Sequence, residues 1–140
     1  DNYEVKELGN NYYMTEVSAA IGIEQLRKLE KMNAIRKKIA KRYSSEIELN
    51  EKMPYSNNCA YHLYWICVKN REKLRRELDG NGIQTGTHYK PIHKFSLYKK
   101  SHSLPITESV GKQIITLPMH PNLKENEIDK IISVINKFTK

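Results

Sequence analysis

A chain of 140 residues, with 24 Lys and Arg against 16 Asp and Glu and a formal net charge of +8, suffices for one domain with a single modest core. It contains no apolar run long enough to cross a membrane and no secretory signal pattern, so we predict a soluble, cytoplasmic protein. Its two cysteines, Cys59 and Cys67, form no CxxC pair and predict neither a disulfide framework nor a zinc site.

The first predicted element is a helix that begins at Glu16, with Thr15 as its N-cap, and runs to about Leu29. Its apolar stripe drifts around the helix axis, and Asn33 indicates a bend, after which a second helical segment runs to about Leu49. The sequence therefore predicts a long, bent N-terminal helix.

Positive charge is concentrated on this predicted helix. From residue 27 to residue 42 a single acid, Glu30, accompanies eight basic residues: Arg27, Lys28, Lys31, Arg36, Lys37, Lys38, Lys41 and Arg42. Most of them lie opposite the apolar stripe, as on a solvated helix surface. The alternative is a small basic binding protein that uses the Arg27–Arg42 face for nucleic acid or another polyanion. No DNA-binding or RNA-stacking motif accompanies the charge, which favours the solvated surface.

The remaining predicted elements alternate between short strands and helices. In chain order they are a strand at Tyr61–Lys69, a helix at Arg71–Leu78 closed by Gly80-Asn81-Gly82, a strand at Ile83–Tyr89, a helix at Thr107–Ile114, the extended segment ITLPMHP and a helix at Glu125–Phe138. This order predicts an α/β (α+β) fold in which helices cover one face of a small sheet.

Four stretches in this order resemble the C-terminal part of the DegT-type (DegT/DnrJ/EryC/StrS) sugar-nucleotide aminotransferases. They are LGNNYYMTEVSAAIGIEQLRKLEKMN, YHLYWICV, LDGNGIQTGTHYKPIH and LPITESVGKQIITLPMHPNLKENEIDKIISVI. The resemblance spans essentially the whole chain and implies that residues 1–140 form the small C-terminal domain of the aspartate-aminotransferase fold. It also implies amino transfer from glutamate to a keto-sugar nucleotide with pyridoxal phosphate (PLP), in a homodimer or larger oligomer with shared active sites.

The resemblance assigns a role to the loop ahead of the first helix. The resemblance implies that Asn11 reaches across the dimer interface and contacts the phosphate of the PLP bound by the partner subunit. At Tyr13 the family carries Arg, so this chain lacks one fixed positive charge near that phosphate. An amide donor beside a helix N-terminus suits an anion. The residue types alone predict only that Asn10 and Asn11 cap a turn.

The HYKPIH segment is the second candidate site. Pro91 restricts the backbone between His88 and His93. No third ligand stands at a useful spacing, so we predict no metal site here. The resemblance places His88, Tyr89 and His93 at the wall of the sugar-nucleotide pocket. The alternative is a loop with exposed imidazoles.

Catalysis in the family requires a lysine that binds PLP covalently and an acid on the pyridine nitrogen. This chain contains no match to the family's lysine context. Ser96-Leu97-Tyr98-Lys99 spells SxxK but lacks the glycines that should follow. We therefore predict a C-terminal fragment or truncated homologue without the large PLP-lysine domain, which alone binds no PLP and is inactive. Its expected partner is a second copy or a separate large-domain chain.

Overall fold

The computed structural model describes residues 4, 6–98 and 103–139, which form two compact units divided between Lys31 and Met32. The secondary-structure elements, in chain order, are α1 (Glu16–Glu46), β1 (Tyr64–Cys67), α2 (Arg71–Gly80), two short 3-10 helices (Ile92–Lys94 and Ser96–Tyr98), α3 (Pro105–Gln113), β2 (Ile114–Leu117) and α4 (Glu125–Thr139). The predicted mixed α/β class is confirmed. Lys99, the last residue of the SxxK pattern, lies outside the described residues.

Helix α1 begins where the sequence predicts, because the Thr15 hydroxyl oxygen accepts a hydrogen bond from the Ser18 backbone N–H at 3.2 Å. The helix is continuous through Asn33, so the two predicted helical segments are one helix that ends at Glu46. The Asn33 side chain accepts a hydrogen bond from Arg36 at 3.1 Å. It therefore does not compete with the helix backbone for hydrogen bonds.

The unit from residue 32 onward holds the hydrophobic core. Strands β1 and β2 pair antiparallel, with Tyr64 opposite Leu117 and Cys67 opposite Ile114, and α2 packs against α4. The predicted inward stripe of α4 is confirmed, since Ile128, Ile131, Ile132 and Ile135 are all buried. Further buried side chains come from α1, both strands, α2 and the loops between them: Ile39, Ala40, Tyr43, Ile47, Tyr61, Tyr64, Ile66, Leu74, Leu78, Ile83, Ile115 and Leu117.

Two predicted strands differ from the structure. The first spans only Tyr64–Cys67 rather than Tyr61–Lys69, and Tyr61 at its predicted start has a φ of 52°, outside the extended region that a strand requires. The second, Ile83–Tyr89, is not a strand. Within it Gly86 alone forms a bridge to the sheet, exchanging backbone hydrogen bonds of 3.1 Å and 2.9 Å with Thr116. The chain leaves the sheet after this one residue, and His88 Nδ1 then lies 2.7 Å from the Thr116 hydroxyl oxygen.

The other helix boundaries shift by a few residues. Helix α2 extends to Gly80, and the predicted left-handed turn lies at Gly82, where φ is +74°. Helix α3 begins at Pro105, a residue favoured in the first helical turn because it lacks the N–H that would stay unbonded there. None of the described helices has the length and apolar character needed to cross a membrane.

Candidate functional site

The loop ahead of α1 forms a turn around Asn11. The Tyr13 backbone N–H donates a hydrogen bond of 2.9 Å to the Asn11 side-chain oxygen, and the Asn10 amide donates to the Tyr12 hydroxyl at 3.3 Å. The turn that the residue types predict is therefore present at Asn11. All four residues are exposed.

This turn engages only the acceptor of the Asn11 amide. Among the described residues no group accepts a hydrogen bond from its Nδ2, so both amide protons remain donors toward solvent. The backbone N–H groups at the start of α1 and the 94% exposed Tyr13 side chain lie on the same short segment. These neutral donors fit a phosphate oxygen chemically, and residues 10–15 include no cationic side chain.

The three candidate residues of the HYKPIH segment do not lie at one place. His88 Nδ1 lies 2.7 Å from the Thr116 hydroxyl oxygen on β2. The Tyr89 ring meets the His88 ring edge-on, with centroids 4.8 Å apart and an interplanar angle of 83°, and the Tyr89 side chain is 71% exposed. His88 and Tyr89 thus form one aromatic pair at the surface.

His93 is held in a different cluster, which is centred on Glu108 of α3. The Glu108 carboxylate lies 3.2 Å from His93 Nε2 and 2.9 Å from Lys94 Nζ, and it accepts a hydrogen bond of 3.3 Å from the Leu104 backbone N–H. The hydrogen bonds from Lys94, Leu104 and His93 lower the pKa of Glu108 to about 2. The carboxylate therefore stays ionised at neutral pH and fixes the end of the segment that contains His88 and Tyr89.

The middle of the segment lies directly against α3. A β-carbon added at Gly111 would stand 2.7 Å and 2.8 Å from two ring atoms of Pro91, so only glycine permits this approach. The Gly111 carbonyl accepts a hydrogen bond of 2.8 Å from Arg71 of α2. The loop is therefore attached to α3 at Pro91 and at His93.

Sequence reasoning missed four residues that position these side chains: Gly86, Glu108, Gly111 and Thr116. The two glycines carried a weak signal, because a glycine outside a turn often marks a close approach of other atoms. An ordinary glutamate and an ordinary threonine carried none. Among the described residues no three His, Cys, Asp or Glu side chains are grouped to hold a metal ion.

The basic helix face is partly neutralised by ion pairs. Arg42 contacts Glu46 and Asp129 at 2.7 Å and Glu125 at 3.0 Å, and Lys38 contacts Glu125 at 2.7 Å. The hydrogen bonds to Glu46 and then Asp129 raise the pKa of Arg42 above its ordinary value. The pairs with Glu125 and Asp129 join α1 to α4, so Lys38 and Arg42 have a structural role on the Arg27–Arg42 face.

Comparison with known proteins identifies the class of protein to which these elements belong. Residues 1–136 match the DegT/DnrJ/EryC1/StrS aminotransferase family. The structure superposes on an aminotransferase of this family from Brucella abortus with a TM-score of 0.83, at 34% identity over 99% of this chain and 39% of that chain. Spr1654 of Streptococcus pneumoniae, assigned as a sugar aminotransferase and solved in its PLP form, gives a TM-score of 0.80 at 28% identity, over 89% of this chain and 35% of its own.

A curated relative leads to the same family. An uncharacterized protein of Methanocaldococcus jannaschii is 31% identical in an alignment of 152 positions, gaps included, that covers 97% of this chain and 39% of the relative. The chain belongs to the DegT/DnrJ/EryC1/StrS aminotransferase family, whose members depend on PLP. It spans about two fifths of the length of these relatives, and corresponds to their C-terminal part.

Proposed function

We propose that this chain serves as the C-terminal part of a PLP-dependent sugar-nucleotide aminotransferase, which moves the amino group of glutamate to a keto-sugar nucleotide. The family match over residues 1–136 is the observation that carries this proposal. The likeness to a sugar aminotransferase solved in its PLP form supports it. The proposal includes a cytoplasmic location, as the sequence predicts.

In this proposal the Asn11 loop binds the cofactor. The outward Nδ2 protons of Asn11 donate to the phosphate of the PLP held by the partner subunit, while its oxygen keeps the turn closed through Tyr13. Tyr13 offers a hydroxyl where the family has Arg, so it supplies a neutral donor in place of a charge. PLP, when bound, supplies the electron sink for amino transfer, and this chain contributes to binding it.

The surface pair of His88 and Tyr89 contacts the sugar nucleotide in this proposal. Both side chains are exposed on a segment that is attached to α3 on the C-terminal side of the pair, at Pro91 and at His93. An imidazole and a phenol at one place suit a ligand that has phosphate or hydroxyl oxygens as well as an apolar ring surface. His93 contributes by fixing this segment through Glu108.

The first turns of α1 supply the contact with a further protein surface. Val17, Ile21 and Leu26 are 71%, 58% and 69% exposed, an unusual density of large apolar side chains on one helix. Val17 and Leu26 are about two and a half helical turns apart, so the exposed apolar side chains lie on more than one side of α1. We assign them to association in a homodimer or with a large PLP-lysine domain, because a helix that faces only solvent carries polar side chains at such positions.

Complementation tests the proposed function. A family large domain fused ahead of residue 1 should restore amino transfer from glutamate to a keto-sugar nucleotide, whereas the 140-residue chain alone should show none. The chain alone, incubated with PLP and reduced with borohydride, should yield no stoichiometrically labelled lysine peptide. A single labelled lysine, or a fusion that binds PLP but never transfers an amino group to any keto-sugar nucleotide offered, would count against the proposal.

A further inference from the structure

The Thr116 side chain is placed to control the orientation of the His88 ring. Thr116 lies inside β2 and is buried, with 4% of its surface exposed. Its backbone pairs with Gly86 through two hydrogen bonds, and its hydroxyl oxygen lies 2.7 Å from His88 Nδ1. A side chain fixed in the sheet therefore holds one end of an exposed imidazole.

The hydroxyl also determines which nitrogen of the neutral ring carries the proton. Within the described residues His88 Nδ1 is the one hydrogen-bonding partner of the Thr116 hydroxyl. A buried O–H without an acceptor is costly, so the hydroxyl donates to Nδ1. A neutral imidazole has one donor and one acceptor nitrogen, which places its proton on Nε2. No described group hydrogen-bonds Nε2, so His88 presents an N–H donor at the surface.

Gly86 makes this arrangement sterically possible. A β-carbon at Gly86 would stand 2.7 Å from His88 Cε1 and 2.8 Å from the Thr116 hydroxyl oxygen. Both distances are shorter than real carbon contacts, so any other residue would push the ring off the hydroxyl. The absence of a side chain at Gly86 and the hydroxyl of Thr116 therefore act on the same ring.

From this geometry we infer that Thr116 is a positioning residue, which orients His88 so that its Nε2–H donates to an acceptor oxygen of the sugar nucleotide. The inference rests on the proposed function for the substrate contact. The orientation of the ring itself is independent of the proposed function and is measurable in the 140-residue chain.

Nitrogen-15 NMR of the histidine rings above their titration range measures the protonated nitrogen directly. The chain has five histidines, and the His88 signals are those lost in His88→Gln. In the wild-type chain the neutral His88 ring should be almost entirely protonated at Nε2. Thr116→Val keeps the shape but removes the hydroxyl, and it should raise the ratio of the Nδ1-protonated to the Nε2-protonated form about fivefold, the worth of one hydrogen bond. Thr116→Ser should restore the wild-type ratio.

Two further variants separate this role from a general effect on folding. Gly86→Ala keeps the hydroxyl and should give the same spectral change as Thr116→Val, because it displaces the ring. Thr87→Val is the matched control, since the Thr87 hydroxyl is buried and has no partner among the described residues. It should leave the His88 signals unchanged. Identical His88 signals in the wild-type chain, Thr116→Val and Thr87→Val would overturn the inference.

Kinetics of the active fusion enzyme then tests the substrate contact. Thr116→Val should raise KM for the sugar nucleotide about fivefold with little change in kcat, and Thr116→Ser should behave as wild type. If the NMR signals change but KM does not, the positioning of His88 by Thr116 stands, and the assignment of His88 to the substrate site is wrong.

Discussion

The contact between Pro91 and Gly111 gives Gly111→Ala an effect opposite in sign to that of an ordinary glycine substitution. Gly111 lies inside α3, where Ala in place of Gly usually adds up to about 1 kcal/mol of stability. Here the new β-carbon would lie 2.7 Å from Pro91 Cγ and 2.8 Å from Pro91 Cδ. Both atoms belong to a ring closed on the backbone, so they cannot rotate away.

The size of the effect follows from these two opposing contributions. Overpacking of this kind costs about 1–3 kcal/mol, and the helix gain offsets about 1 kcal/mol of it. We therefore expect Gly111→Ala to lower the free energy of unfolding by about 1 kcal/mol. Gly80→Ala is the matched control, because Gly80 ends α2 and no atom lies within 4 Å of an added β-carbon there. It should be neutral or stabilising by up to about 1 kcal/mol.

Urea unfolding of the 140-residue chain, followed by far-UV circular dichroism, measures both variants against wild type. The sign of the difference between the two alanine variants reports the Pro91 contact, because without that contact Ala should stabilise the interior position Gly111 at least as much as the terminal position Gly80. If Gly111→Ala stabilises the chain as much as Gly80→Ala does, Pro91 does not lie against α3. The attachment of the HYKPIH segment described above would then be incorrect.

Three further predictions address the other parts of the structure. The hydrogen bonds that lower the pKa of Glu108 stabilise the fold fully above its ordinary pKa of 4.5, and this stability is lost as the pH falls toward about 2. The urea midpoint of Glu108→Gln should therefore change less with pH in this range than that of the wild-type chain. The same pH dependence in both chains would show that Glu108 does not make these contacts. Asn11→Ala in the fusion enzyme should weaken PLP binding by roughly 1.5–3 kcal/mol, and the same change should not destabilise the 140-residue chain. Tyr13→Arg in the fusion enzyme should strengthen PLP binding. If Asn11→Ala destabilises the chain and leaves the PLP affinity unchanged, Asn11 serves only the turn. The exposed apolar side chains in the first turns of α1 should drive self-association, so light scattering should find a dimer or larger species whose mass falls in Leu26→Gln. A monomer at every concentration would contradict this.

The sequence alone determined those features that depend on neighbouring residues. The Thr15 cap, the start of α1 and the inward isoleucines of α4 were all predicted correctly, because a helix repeats its environment every three to four residues and its cap lies within one turn. The turn at Asn11 belongs to the same class, since its hydrogen bond spans two residues. The order of the motifs also indicated the family before any geometry was known.

The tertiary structure alone decided how the candidate site is held. The contact of His88 with Thr116 joins residues 28 apart in the sequence, and that of His93 with Glu108 joins residues 15 apart. No local pattern in the chain encodes such pairs. The predicted strand at Ile83–Tyr89 was wrong although its residue types suit a strand, since only Gly86 bridges to the sheet and His88 contacts Thr116 through its side chain. Propensity describes what a segment prefers in isolation, and long-range contacts determine whether that preference is realised.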